Sequence, residues 1–132
     1  MTSGYEIQLD PVRKLMTLTL SGFFDVQQVP KIADDIAAAI GRLNCPPNQH
    51  LTLVDVCDSK LQAQDTVAAF GAIIARPHLM ARRLAVVVGS SLARMQVRRI
   101  LLRDDAQVFD SRTEARAWLF GDSAVGGEAA PA

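Results

Sequence analysis

Residues 51 to 59 read LTLVDVCDS, an apolar run that ends in Asp55, Cys57, Asp58 and Ser59. A thiol, two carboxylates and a hydroxyl so close together could serve a thiolate nucleophile, acid–base chemistry or a phosphorylation switch. A nucleophilic thiol needs a base to take its proton, and the only histidines are His50 and His78. His50 stands before the run that Cys57 follows. If that run is a strand, about six residues at roughly 3.3 Å each hold the two side chains about 20 Å apart, too far to pair. His78 follows Pro77 in another segment. Nucleophile, base and orienting group do not assemble, so the residues argue against an enzyme. Cys57 then reads as a small half-buried thiol, and Asp55 and Asp58 as solvated or capping carboxylates. Because open α/β sheets bind ligands beyond the carboxyl ends of their strands, the same residues remain candidates for contact with a partner.

Gly89-Ser90-Ser91 also follows an apolar run and opens a helical pattern. Backbone N–H groups at Ser90 and Ser91 could hold an anion; a serine N-cap explains the same residues without a ligand. Neither the glycines of GxGxxG nor the lysine of a Walker loop is present. Arg94 and Arg98, four apart, share a helix face and with Arg82, Arg83, Arg99 and Arg103 make a basic zone for an acidic partner or a phosphate-bearing ligand, although Asp104 and Asp105 follow at once. Two histidines without cysteines or carboxylates at ligand spacing imply no metal site, and nothing implies a cofactor. Lys plus Arg (14) balance Asp plus Glu (14), so nothing in the charge suggests a general nucleic-acid or membrane-surface binder, and no nucleic-acid partner is expected. Phe23, Phe24 and Trp118 read as core or sheet-edge packing, since basic residues do not interleave with them as in a stacking platform.

The elements that must position these residues follow from periodicity. Glu6 to Leu9 and Leu15 to Leu20 alternate apolar and polar residues around the turn Asp10-Pro11-Val12-Arg13-Lys14, a hairpin. Asp25 and Gln28 have the form of a capping box, opening a helix to about Leu43 whose stripe is Val29, Ile32, Ile36, Ile40 and Leu43; Lys31, Asp34, Asp35 and Arg42 are left for water. Pro30 suits only the first helical turn, which favours a start later than Asp25. Leu51 to Val56 is a strand covered on both faces. A second helix spans about Ala63 to Ala75, and Leu84 to Val88, the most continuous apolar strand, is placed at the sheet's centre. A third helix covers about Leu92 to Leu102, a short strand Ala106 to Phe109, and a last helix runs from a capping box at Ser111 and Glu114 to Gly121. The fold class is α/β, in the order ββαβαβαβα, with a mostly parallel, mixed five-stranded sheet and helices packed on it.

At 132 residues one domain is the expectation, residues 1–121, because a chain of this size can bury about two-thirds of its surface in one core. Residues 122–132 offer nothing large to bury and read as a disordered tail. Two cysteines without CxxC spacing imply reduced thiols and a cytoplasmic protein. The start lacks a leader pattern, and no run approaches the ~20 apolar residues of a membrane span.

This order, with TLTLSGFFD ending the hairpin, a central LVDV strand and a closing VFDSRTEARAWL, resembles the SpoIIAA-like or STAS fold over roughly residues 4–121. It looks most like small stand-alone bacterial members that end in a strand, an acidic or serine turn and an EAxxWL helix. In anti-sigma-factor antagonists of that superfamily, the resemblance implies, a serine in Asp-Ser-Ser-Gly at the start of the second helix is phosphorylated, and roughly −1.5 to −2 of added charge switches partner binding. Here Gln62-Ala63-Gln64-Asp65 stands in its place. Ser59 lies in the loop and Thr66 inside the helix, so neither inherits that role, and a kinase-controlled switch is not expected. Asp65 suits the helix dipole with or without a function.

The resulting expectation is a non-catalytic regulatory or protein-interaction module, presenting Cys57, Asp58, Ser59, Asp65 and Thr66 to a protein partner. The competing class is a small apolar-ligand or lipid-binding protein. The superfamily's mixed sheet resembles the Sec14 type, and Phe70, Ile73, Ile74, Leu79 and Met80 supply apolar surface near a Pro-terminated helix. A lipid binder requires an apolar cavity of at least roughly 300 Å³ behind the second helix. An interaction module requires a filled core and an exposed apolar patch. A homodimer through the hairpin edge or the second helix stays open.

Overall fold

The computed structural model describes residues 4–46, 48–59, 64–77, 79–101 and 104–121. Strands β1 (Gly4–Asp10) and β2 (Leu15–Gly22) form the expected antiparallel hairpin. Its turn closes on Asp10, whose carboxylate accepts the N–H groups of Val12 and Arg13, both at 3.1 Å, as aspartate does in tight turns. Asp25 and Gln28 form the capping box, with Gln28 Oε1 accepting the Asp25 N–H at 2.8 Å. That box caps a single 3₁₀ turn, Val26–Gln28; α1 proper is Val29–Arg42, with Pro30 in its first turn. There follow β3 (Leu51–Ser59), α2 (Gln64–Ile74), β4 (Arg83–Val87), α3 (Ser91–Ile100), β5 (Ala106–Phe109) and α4 (Arg112–Leu119).

The sheet order is β1-β2-β3-β4-β5, parallel from β2 onward. β3 therefore lies at the centre, and the LAVVV strand one place off it, correcting the position expected for β4. The reason is topological: the hairpin adds two strands on one side of β3, while only β5 follows β4. β4 is still buried on both faces, as an inner parallel strand must be.

Alternate residues divide between two cores. Met16, Leu18, Leu20, Val54, Val56, Leu84 and Val86 face α1, α2 and α3; Leu15, Leu51, Leu53, Ala85 and Val87 face Ala115 and Leu119 of α4. Three helices on one face is what successive crossovers of one hand produce when strand order follows chain order. α4 alone covers the other face. Its last turn is tied down by Arg83, which donates Nη1–H to the Trp118 carbonyl at 2.6 Å and lies 5.3 Å from that indole's centre. A cation there also suits the helix's negative end. Asp35, expected to face water, instead accepts the Tyr5 hydroxyl and pairs with Lys31 at 3.2 Å, which joins α1 to the edge strand. The tail, residues 122–132, lies outside the described residues. Among the described residues no helix is long and apolar enough to cross a membrane.

Candidate functional site

The carboxyl ends of β2, β3 and β4 define one edge, and β3 is irregular there. Thr19 pairs with Asp55, but two residues later Ser21 pairs with Asp58, so β3 carries one extra residue. Such a bulge bends a strand and re-aims its side chains. It also keeps Cys57 and Asp58 within β3, which runs three residues beyond the expected Val56. The bulge is closed by Asp55, whose Oδ1 accepts the Cys57 N–H at 2.9 Å. Oδ2 of the same carboxylate meets Arg112 of α4, at 3.0 Å from Nε and 2.8 Å from Nη2, and Nη2 also donates to Thr19 Oγ1 at 3.1 Å. Burial pushes the Asp55 carboxyl up, but the Cys57 N–H and Arg112 outweigh it, and the net shift is downward. Asp55 is thus neither loop-solvated nor a helix cap, as expected from the sequence, but the joint between the bulge and α4.

Cys57 is exposed and unbridged. Burial around its sulfur, then the Asp55 and Asp58 carboxylates, push its thiol up to about 11. At neutral pH it is a protonated thiol and a poor nucleophile. His50 is buried before the opposite end of β3; about seven residues at ~3.3 Å each separate it from Cys57 by more than 20 Å. His78 lies outside the described residues. Gly89, in the β4–α3 turn, lies directly against this strand end: a Cβ there would come within 3.0 Å of the Cys57 carbonyl oxygen.

The expected contact residues differ in access. Cys57, Asp58 and Asp65 are exposed at this edge. Thr66 is not: it is 1% exposed, with its hydroxyl donating to the Phe24 carbonyl at 3.5 Å. Thr66 therefore packs α2 onto the β2–α1 connection and cannot itself meet a partner, a correction that arises because the first turn of α2 points its hydroxyl inward. Ser59 is the last residue of β3. Of the anion candidates, Ser90 caps α3 by accepting the Ala93 N–H at 3.1 Å, Ser91 is its first residue, and Arg94 pairs with Asp110. Arg98 is exposed farther along α3. These residues come together as a capped helix and an ion pair. Among the described residues no group of three or more His, Cys, Asp or Glu side chains could hold a metal ion.

Sequence reasoning missed an apolar rim. Phe23 is 47% exposed, Val26 41%, Leu92 59% and Met95 55%. Phe23 follows the last residue of β2, Val26 opens the turn into α1, and Leu92 and Met95 lie in the first turns of α3 after β4. All four are therefore placed at the edge that carries Cys57, Asp58 and the start of α2. Val12, the other large apolar side chain so exposed among the described residues, lies in the hairpin turn at the opposite end. Phe23 is thus surface, against the expectation of packing, while its neighbour Phe24 is buried and meets the Phe70 ring edge-on at 6.0 Å. The signal available was the doublet Phe23-Phe24: consecutive residues leaving a strand cannot both face one core.

Beneath α2 the core is not filled, against the filled core expected of an interaction module. A pocket of about 110 Å³, partly open to solvent, is lined by Leu18 and Leu20 of β2, Val54 and Val56 of β3, Val67 and Phe70 of α2, and Ala93 and Val97 of α3, among others. Gly71 lets α2 approach α3 at its far end, where a Cβ would come within 3.1 Å of Ile100.

No protein-family model matches this chain, and no curated protein does. Solved structures do match. An anti-sigma factor antagonist from Mycobacterium paratuberculosis superposes with a TM-score of 0.63 at 12% identity, over 89% of this chain and 94% of the other. An uncharacterized protein with a SpoIIAA-like fold from Shewanella loihica gives 0.66 at 11% identity, over 89% and 93%. The anti-sigma factor antagonist SpoIIAA in its unphosphorylated form gives 0.57 at 15% identity, over 84% and 92%. The chain has the SpoIIAA-like fold, as its element order implied.

Proposed function

We propose that this SpoIIAA-like domain is a non-catalytic regulatory module, cytoplasmic, that docks a protein partner across the carboxyl edge of its parallel strands. The observation that carries this reading is the apolar rim: Phe23, Val26, Leu92 and Met95 all stand exposed where the start of α2 and the end of β3 emerge. Apolar anchors set among polar groups are how protein interfaces acquire most of their binding energy. Cys57, Asp58, Ser59 and Asp65 supply the polar part. Two of the structural neighbours are anti-sigma factor antagonists by name, which supports a regulatory role exercised through a protein partner.

Docking here does not depend on a phosphorylated serine. The two positions where the family's serines would stand hold Ala63, which lies outside the described residues, and Gln64, the first residue of α2; neither carries a hydroxyl. Thr66 is buried beneath Phe24, so a kinase would have to unpack α2 to reach it. Absence of catalysis is supported by the protonated Cys57 thiol and its distance from His50. Carriage of a whole lipid, the competing expectation, needs roughly 300 Å³ or more; the cavity beneath α2 is about 110 Å³.

The test is to isolate the partner from the native host with tagged protein, purify it, and titrate it against rim variants. Phe23→Ser and Met95→Ser should each weaken binding about tenfold or more, a change of about 1.4 kcal/mol, while Val12→Ser binds as the parent does. Parent-like affinity in both rim variants would end this reading.

A further inference from the structure

We infer that the cavity beneath α2 is a binding site for one small apolar molecule, a single ring or a short stretch of alkyl chain. The pocket measures about 110 Å³ and is partly open to solvent, a concave apolar site of the kind that takes small ligands. Its walls are Leu20, Phe24, Val56, Phe70, Val86 and further aliphatic side chains, with Gln96 the one polar side chain of its lining among the described residues. Water against such walls gains few hydrogen bonds, so an apolar occupant that displaces it is favoured. A hydrocarbon needs none. Size sets the class: a cavity of about 150 Å³ holds benzene, while pockets for whole drug-sized ligands run from about 300 Å³ upward. The space beneath α2 therefore suits a fragment near one ring in bulk, whether a free small molecule or the end of an acyl chain.

The placement gives the site a consequence. Val67, Phe70 and Ile73 of α2 and Ala93, Val97 and Ile100 of α3 line it opposite β2, β3 and β4. An occupant would contact both helices and stabilise only the arrangement in which they are docked on the sheet, so binding adds to folding stability by mass action.

The experiment uses the full chain with two probes in separate titrations, benzene for the free-molecule source and hexanoate for the acyl source. Methyl NMR shifts and the thermal midpoint are the readouts. Expected are saturable shifts at Val56, Val86 and Ile73 methyls, none at Val12, and a midpoint that rises with ligand concentration. A response to benzene alone assigns the site to small free molecules; a response to hexanoate assigns it to acyl ends. Ala93→Leu, which adds three carbons to the wall, should abolish the response at parent-like or higher stability, and Val12→Ser should keep it. If Ala93→Leu fails to fold, the parent's site-specific methyl shifts still decide. Absence of saturable shifts with either probe in the parent, or shifts undiminished in a folded Ala93→Leu protein, would overturn the inference.

Discussion

Replacing Arg112 by Ala removes the bond that ties α4 to the bulge of β3. Three contacts go: Nε to Asp55 at 3.0 Å, Nη2 to Asp55 at 2.8 Å and Nη2 to Thr19 at 3.1 Å. The Cys57 N–H is left on a carboxylate whose side chain is only 15% exposed. Exposed ion pairs contribute about 0.2–1 kcal/mol, whereas stranding one charge of a fully buried pair costs about 3–5 kcal/mol. Arg112 is itself 43% exposed, so water can replace part of what it supplied, and the loss should be about 1–2 kcal/mol. For a domain of this size that lowers the melting midpoint by roughly 4–8 °C. A double-mutant cycle with Asp55→Asn should show a coupling of about 1 kcal/mol. The pH dependence has a definite sign. The folded Asp55 carboxyl lies below its ordinary value, so its contribution is present above about pH 4 and is lost as pH falls through the folded value. The stability gap between parent and Arg112→Ala, from urea unfolding at a series of pH values, should therefore close on acidification. A gap that persists unchanged in acid, or no gap at neutral pH, would refute this account of the joint.

Three further substitutions separate packing from chemistry. Gly89→Ala puts a Cβ within 3.0 Å of the Cys57 carbonyl oxygen, a backbone atom that cannot swing aside, and should cost about 1–3 kcal/mol in urea unfolding. Cys57→Ala should stay within about 0.5 kcal/mol of the parent, because the thiol is exposed. Alkylation of the parent's Cys57 should be slow at neutral pH and accelerate with rising pH until about 11, where the thiol ionises. Val87→Asp should unfold the chain, visible as loss of a cooperative transition, since an unpaired charge at this buried site costs several kcal/mol against a total of about 5–15.

What the sequence encodes locally was legible, and what depends on distant contacts was not. The runs Leu51 to Val56 and Leu84 to Val88 announce inner strands by apolar continuity, and Asp25 with Gln28 announces a cap by side-chain chemistry. The extra residue in β3 leaves no such mark, because Val56, Cys57 and Asp58 read equally well as strand or loop. Its tie to α4 depends on Asp55 meeting Arg112, 57 positions away, and no spacing rule reaches that far. Periodicity misled at Thr66, since it locates a helix better than it orients the first turn. The pocket is a packing outcome of three strands and three helices, invisible to any pattern along one of them. The rim lay unseen for the same reason: Phe23, Val26, Leu92 and Met95 are brought to one edge only by the order of the strands.

The docking edge is tested most directly by amide hydrogen exchange of this protein alone and in complex with its purified partner. Slowed exchange is predicted at residues 23–28, 57–59, 64–67 and 89–96, with the hairpin turn at 11–14 and helix α4 unchanged. Protection confined to the outer strand β1, to α4 or to the hairpin turn, with the rim exchanging as in the free protein, would contradict the assignment of the interface to the carboxyl edge of the sheet.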